Sequence, residues 1–289
     1  MDQLLQLGIR LHDVNASLSP EEQTMAARAA RAREEGFCCA HLALQKVICG
    51  VTFDEAALTE GLARMIRRVF EAEGLDIAVL GCYLNLATPD EKQLQEFQRR
   101  YIAHLRIASL CDACMVGTET GAPNTAYRLD AFTHSDAALK TFLYNLEPML
   151  DAAEHYGVTF AIEPVWNHIV YNADRALEVL RSAGSRNLRI IFDPVNLLSP
   201  ENADDREHVI CEAMDKLCDA IAMVHLKDFV RQGDKLISVA AGTGEMNYSA
   251  ILRFLKERKP YIQATLENTT NENASAAREH IMRLFEAAG

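Results

Sequence analysis

No stretch of this sequence holds the ~20 consecutive apolar residues that a bilayer-crossing helix needs, so no membrane association is expected. Positive charge is also in short supply. The 29 Lys and Arg residues stand against 41 Asp and Glu, a formal net charge of −12. Nucleic acids are held by clustered cations, which sets a nucleic-acid partner aside. The adjacent pairs Arg67-Arg68 and Arg99-Arg100 read as solvated helix faces. The opening residues, MDQLLQLGIRLHD, lack a basic segment, a long apolar segment and a cleavage site, so no secretory signal is read and a cytoplasmic location is expected. No Gly-x-Gly-x-x-Gly follows the first apolar run, which removes support for a dinucleotide-binding sheet. Cys111-x-x-Cys114 has no second pair at zinc-knuckle spacing, and the eight cysteines read as thiols.

What is present is an alternation of short β-rich runs with longer amphipathic segments. The strand candidates are residues 7–12, 36–42, 75–81, 113–118, 158–163, 188–193, 221–226 and 261–267. Helix starts are marked by Ser19-Pro20-Glu21-Glu22, by Thr88-Pro89-Asp90-Glu91 and by Thr52 with Glu55, each a capping-box pattern. Eight strand–helix units without a break in composition predict an α/β fold, a (β/α)8 TIM barrel spanning residues 1–289 as a single domain.

Four of the runs end on a polar residue: VTFAIE on Glu163, LRIIFD on Asp193, IAMVH on His225 and YIQATLE on Glu267. In such a barrel the C-terminal strand ends carry the active site. Three carboxylates and one imidazole on that rim form a ligand set for a hard divalent cation. One ion is expected, manganese foremost, with cobalt, magnesium or zinc as alternatives. Strand alternation supports the direction of these side chains. With Glu163 inward, Thr159 and Ala161 share its face while Val158, Phe160 and Ile162 face the helices; with Glu267 inward, Tyr261, Gln263 and Thr265 share its face. Lys227 lies two residues beyond His225, so it also points inward and is read as an electrostatic partner of a substrate oxygen. A metal beside a carbonyl and its neighbouring hydroxyl acidifies the C–H between them, and Glu163 and Glu267 are the acid/base pair for such a proton.

The segments AIEPVWNHI, FDPVN, VHLKD and ATLEN resemble the xylose isomerase-like TIM-barrel superfamily of sugar phosphate isomerases and epimerases, and Gly242-Thr243-Gly244-Glu245 is similar to its G-x-G-[ED] segment. By resemblance, Glu163, Asp193, His225 and Glu267 are the ligands of one divalent ion, the two glutamates carry the acid/base step, and homo-oligomers are expected. Arg231 stands six residues after the histidine, where ketose 3-epimerases carry arginine. Ile169 stands where they carry a glutamate, which counts against 3-epimerase action on free ketohexoses. The superfamily's DNA-repair endonucleases carry a histidine where this chain has Asn196, and a D-x-H where it has Asp234-Lys235-Leu236.

The expected substrate contacts are His41, Tyr83, Asn85, Glu119, Trp166, His168, Asn196 and Arg231, with His12 and Thr118 also on the rim. Trp166, the one tryptophan, is read as an apolar wall for a sugar ring. The expected activity is that of a metal-dependent isomerase or epimerase of a small sugar, sugar phosphate or sugar acid. A sugar-acid dehydratase on the same site and a non-catalytic sugar-binding barrel are the alternatives.

Overall fold

A computed structural model describes residues 5–14 and 23–288. Eight parallel strands close into a barrel: β1 (Gln6–Arg10), β2 (Cys39–Leu42), β3 (Asp76–Gly81), β4 (Met115–Glu119), β5 (Thr159–Glu163), β6 (Leu188–Phe192), β7 (Ile221–Leu226) and, after an excursion, β10 (Gln263–Leu266). Closure comes from β1 pairing with β10, Gln6 opposite Gln263 and Ile9 opposite Leu266. The excursion is an antiparallel hairpin, β8 (Asp228–Gln232) and β9 (Lys235–Val239), directly after β7. The sequence reading did not anticipate it.

Around the barrel lie α1 (Met25–Glu34), the single turn α2 (Leu44–Val47), α3 (Glu60–Glu73), α4 (Glu91–Cys111), α5 (Asp136–Tyr156), α6 (Ala173–Ala183), α7 (Arg206–Leu217), α8 (Ser249–Arg258) and α9 (Ala274–Ala287). No helix among the described residues is long and apolar enough to cross a membrane. All eight cysteines are free thiols.

The period-two pattern sorts the strand residues as expected. Phe160, Ile162, Phe192, Val224, Leu226 and Ala264 join the large core between sheet and helices. Ala161, Ile191 and Met223 fill the barrel interior with Cys39, Ala78, Val79 and Met115. Each of those three sits two residues before Glu163, Asp193 or His225, so the apolar plug lies directly beneath the polar rim.

Several local expectations are corrected. Residues 54–57 form a turn in which the Asp54 carboxylate accepts from Ala57 N, and the next helix starts at Glu60 under a Thr59 cap, so Thr52 and Glu55 begin no helix. The cap of α4 is Asp90 rather than Thr88, whose hydroxyl donates to Gln93 Oε1 instead. The pattern at Ser19–Glu22 lies outside the described residues. His12 falls in a 3-10 turn beyond β1, and Tyr261 sits exposed at φ 70°, ahead of β10 and off its inner face.

Candidate functional site

A cavity of about 520 Å³ opens at the C-terminal ends of the strands. Glu163, Glu267 and Lys227 line its floor, and Asp193 and His225 are packed directly against them. Glu163 ends β5, His225 lies within β7, and Asp193 and Glu267 follow β6 and β10 by one residue. All four are buried. His225 Nδ1 lies 3.4 Å from Glu163 Oε2, 3.4 Å from Glu267 Oε1 and 3.9 Å from Asp193 Oδ2. Neither ring nitrogen of His225 has a hydrogen-bond partner. Ligand atoms of Glu163, Asp193 and His225 fall within 4.8 Å of one another, and so do those of His41, His225 and Glu267.

Local structure aims these groups. Asp193 Oδ1 accepts from Val195 N and Asn196 N, a turn closed by the side chain that leaves Oδ2 facing the centre. Asn196 in turn donates from Nδ2 to Glu163 Oε1, which fixes the rotamer of that glutamate. Lys227 Nζ reaches Asp193 Oδ2 at 2.7 Å and Glu267 Oε2 at 3.2 Å, so the lysine does point inward.

Asp228 faces the other way. Its carboxylate accepts from Phe229 N, Gly242 N and Met246 N, wrapping the 242–246 loop around it. Tyr248 donates its hydroxyl to Lys227 O. A Cβ at position 244 would stand 2.1 Å from Phe229 O and 2.4 Å from Asp228 Oδ1, so the second glycine of this loop is a steric requirement.

The charges are strongly coupled. Burial opposes a proton on His225, but the carboxylates of Glu267 and Glu163 outweigh it and raise the imidazole to about 9. Burial lifts Asp193 to about 6 against the pull of Lys227. Glu267 is held well below the usual carboxylate range, since His225, Lys227 and Arg10 outweigh its desolvation. Lys227 is desolvated too, yet Asp193 and Glu267 raise it. Excess carboxylate around one imidazole is the electrostatic condition for binding a cation there.

Two walls rise from this floor. On one, His41 stacks on His225 with ring centroids 5.4 Å apart and meets the Tyr83 hydroxyl through Nε2 at 3.2 Å. Gly81 leaves room for that pair, because a Cβ there would stand 2.6 Å from His41 Nε2. On the other, Glu119 accepts from the Tyr127 hydroxyl at 3.1 Å and lies 3.8 Å from His168 Nδ1. Burial raises Glu119 and lowers His168 to about 4.

Of the expected substrate contacts, His41, Tyr83, Glu119, His168 and Asn196 line the cavity. Three are placed elsewhere. The Asn85 amide donates to Ala122 O and Asn124 O and accepts from Ala87 N, so it staples a loop. Trp166 lines a neighbouring hollow with His134 and Tyr171, because consecutive loop residues send Val165 and Asn167 into the cavity and Trp166 away from it. Arg231 rides on the hairpin, paired with Asp204 at 2.6 Å and Glu245 at 3.2 Å. At the end of β4 the Thr118 hydroxyl is bonded to Tyr101, and just beyond the strand Thr120 Oγ1 accepts from Val170 N. Both are taken up internally.

The sequence reading missed Arg10, Lys46, Asn167, Ser238 and Asn268, which also line the cavity. Arg10 was legible, since alternation from Gly8 puts it on the inner face at the end of β1. Lys46 and Ser238 sit on the single-turn α2 and on the hairpin, which no strand period marks.

The fold has many solved counterparts. The 3-keto-D-glucoside 4-epimerase from E. coli matches with a TM-score of 0.72 at 15% identity, over 97% of this chain and 99% of that one. An L-ribulose 3-epimerase matches at 0.73 and 16%, over 99% and 96%. The probable 3-DHS dehydratase involved in petrobactin synthesis from Bacillus anthracis matches at 0.68 and 15%, over 98% and 99%. At these identities the likeness speaks for the fold alone. No curated protein matches the sequence. The sequence profile of the family described as Xylose isomerase-like TIM barrel covers residues 29–286, nearly the whole barrel with its rim residues, and the chain therefore belongs to that family.

Proposed function

We propose that the chain is a divalent-metal-dependent isomerase or epimerase of a small sugar, sugar phosphate or sugar acid. The observation that carries this reading is the convergence of Glu163, Asp193 and Glu267 on one nitrogen of the buried His225, at 3.4 to 3.9 Å. Three buried carboxylates brought this close repel one another, and a shared cation would offset that repulsion. Glu163, Asp193 and His225 converge closely enough to share one divalent ion, and Glu267, 3.4 Å from the same His225 nitrogen, is the proposed fourth donor. Oxygen donors with one nitrogen favour manganese, with cobalt, magnesium and zinc also accommodated. When bound, such an ion polarises a substrate carbonyl and an adjacent hydroxyl.

The chain's own residues then handle the proton. Glu163 and Glu267 come from different strands and flank His225, so one takes the proton from substrate carbon and the other returns it. Asn196 orients Glu163 through its amide. Lys227, beside Asp193 and Glu267, adds positive charge near the oxygen that becomes anionic. His41 with Tyr83, and Glu119 with His168, offer donors and acceptors to sugar hydroxyls from neighbouring stretches of the cavity wall.

Calorimetric titration of Mn²⁺ into chelator-treated protein tests the site, with an Asp193→Ala/His225→Ala double variant as control. Stoichiometric binding by the wild type, lost in the variant, is expected. Equal binding by both would place the ion elsewhere and remove the reading. Product analysis of a converted sugar then separates isomerisation from dehydration, since only the latter loses water.

A further inference from the structure

We infer that the substrate is an acidic monosaccharide whose carboxylate or phosphate is held by Arg10 and Lys46, on the side of the cavity built by β1 and α2. This inference rests on the sugar-converting reading and narrows its substrate class. The cavity, about 520 Å³, is in the range of small-molecule sites and fits one sugar unit.

Its walls are unlike in charge. Arg10 donates from Nε to Asp13 at 2.9 Å, and its Nη1 stands 3.8 Å from Glu267 Oε2, beyond hydrogen-bond reach. Among the described residues the Nη groups make no hydrogen bond, although the side chain lines the cavity. A guanidinium whose outer fork makes no hydrogen bond and meets only the distant Glu267 carboxylate matches the paired oxygens of a carboxylate or phosphate. Lys46, on the same wall, is exposed and makes no ion pair among the described residues. His12 lines the cavity with them and is pushed down to about 3, by burial and then by the positive fields of Arg10 and Lys46. It therefore stands neutral, a hydrogen-bonding group rather than a third charge.

The far wall carries Glu119, which repels an anion and suits hydroxyls. Lys227 does not compete for the anion, because Asp193 and Glu267 already occupy its ammonium. Arg231, the anion binder suggested by spacing alone, is tied to Asp204 and Glu245 outside the cavity. Charge complementarity thus orders the substrate: the acidic end at β1, the hydroxyl end at β4, the reacting carbons over the rim glutamates.

The test is calorimetric binding of D-fructose, D-fructose 6-phosphate and 5-keto-D-gluconate to Mn²⁺-loaded protein. At least one acidic probe is expected to bind about tenfold or more tighter than fructose, the size of one charge-assisted hydrogen bond, and which one wins tells phosphate from carboxylate. In Lys46→Met and Arg10→Gln that margin shrinks about tenfold in affinity, while Mn²⁺ stoichiometry stays at the wild-type value. Lys46→Met alters an exposed side chain without an ion pair, so it remains informative if Arg10→Gln folds poorly. Equal affinity for neutral and acidic probes, no binding of either acid, or an acid preference intact in Lys46→Met and Arg10→Gln alike overturns the inference. Loss of Mn²⁺ binding in the wild type instead would overturn the metal-site reading. The same acid preference can be read on the chelated protein, so the two failures are distinct.

Discussion

Lys227 Nζ lies 2.7 Å from Asp193 Oδ2, buried with it at the centre of the rim. The ammonium stands on the oxygen that the turn at 193–196 leaves free, and it reaches Glu267 as well. One fixed cation thus holds together carboxylates from two strands that would otherwise repel.

Lys227→Met should therefore destabilise the metal-free protein by about 3 kcal/mol, since removing one partner of a buried pair strands the other. Urea unfolding with and without Mn²⁺ checks this. The ion is expected to restore part of the loss by compensating the same carboxylates. An unchanged midpoint in chelator would show that the lysine does not stabilise the site.

Glu163→Gln keeps the Asn196 contact geometry but removes the base. Exchange of substrate C–H with solvent deuterium, followed by NMR, is expected to fall about a hundredfold or more. Wild-type exchange in this variant would take Glu163 out of proton transfer.

Gly244→Ala places a methyl against Phe229 O and the Asp228 carboxylate. Overpacking of this kind costs about 1–3 kcal/mol. Because Asp228 adjoins Lys227, turnover should drop along with the thermal midpoint. A neutral result in both would mean the loop relaxes freely around Asp228.

Acid should weaken the fold through His104, which lies in α4 and does not line the cavity. Its Nδ1 meets Arg100 O inside α4, and burial lowers it to about 4 against an ordinary 6.5. The unfolded chain takes up the proton first as pH falls. Stability from this group is therefore complete above 6.5 and is lost progressively down to about 4, on the order of 3 kcal/mol at most. His104→Leu should flatten that part of the stability-against-pH curve. An identical slope in wild type and variant would assign the titration to other groups.

How much of this was legible depends on how locally each feature is encoded. The barrel follows from eight repeats of a strand period and a helix period, both read over a few residues. The inward direction of Glu163, Asp193, His225, Glu267 and Lys227 follows from the same period-two geometry, and each of these side chains lies on the rim. Helix caps were less secure. Thr52, Thr88 and Asp90 all have capping chemistry, and only the tertiary path of the backbone chooses among them.

Loop residues mark the limit. Trp166 and Asn167 are neighbours in the chain, yet they serve different hollows, because an irregular backbone has no period to fix which side chain turns inward. Arg231 stood at a suggestive spacing, but the hairpin carries it away from the cavity to Asp204 and Glu245.

The sequence alone thus determined the repeating architecture, the acidic rim and the chemistry of its donors. Only tertiary structure decided which loops share a mouth, and so that Lys46 joins Arg10 in one basic wall. The physical reason is closure. Arg10 comes within 3.8 Å of Glu267 because β1 and β10, the first and last strands, pair to complete the barrel. That contact spans nearly the whole chain, and no local pattern records it.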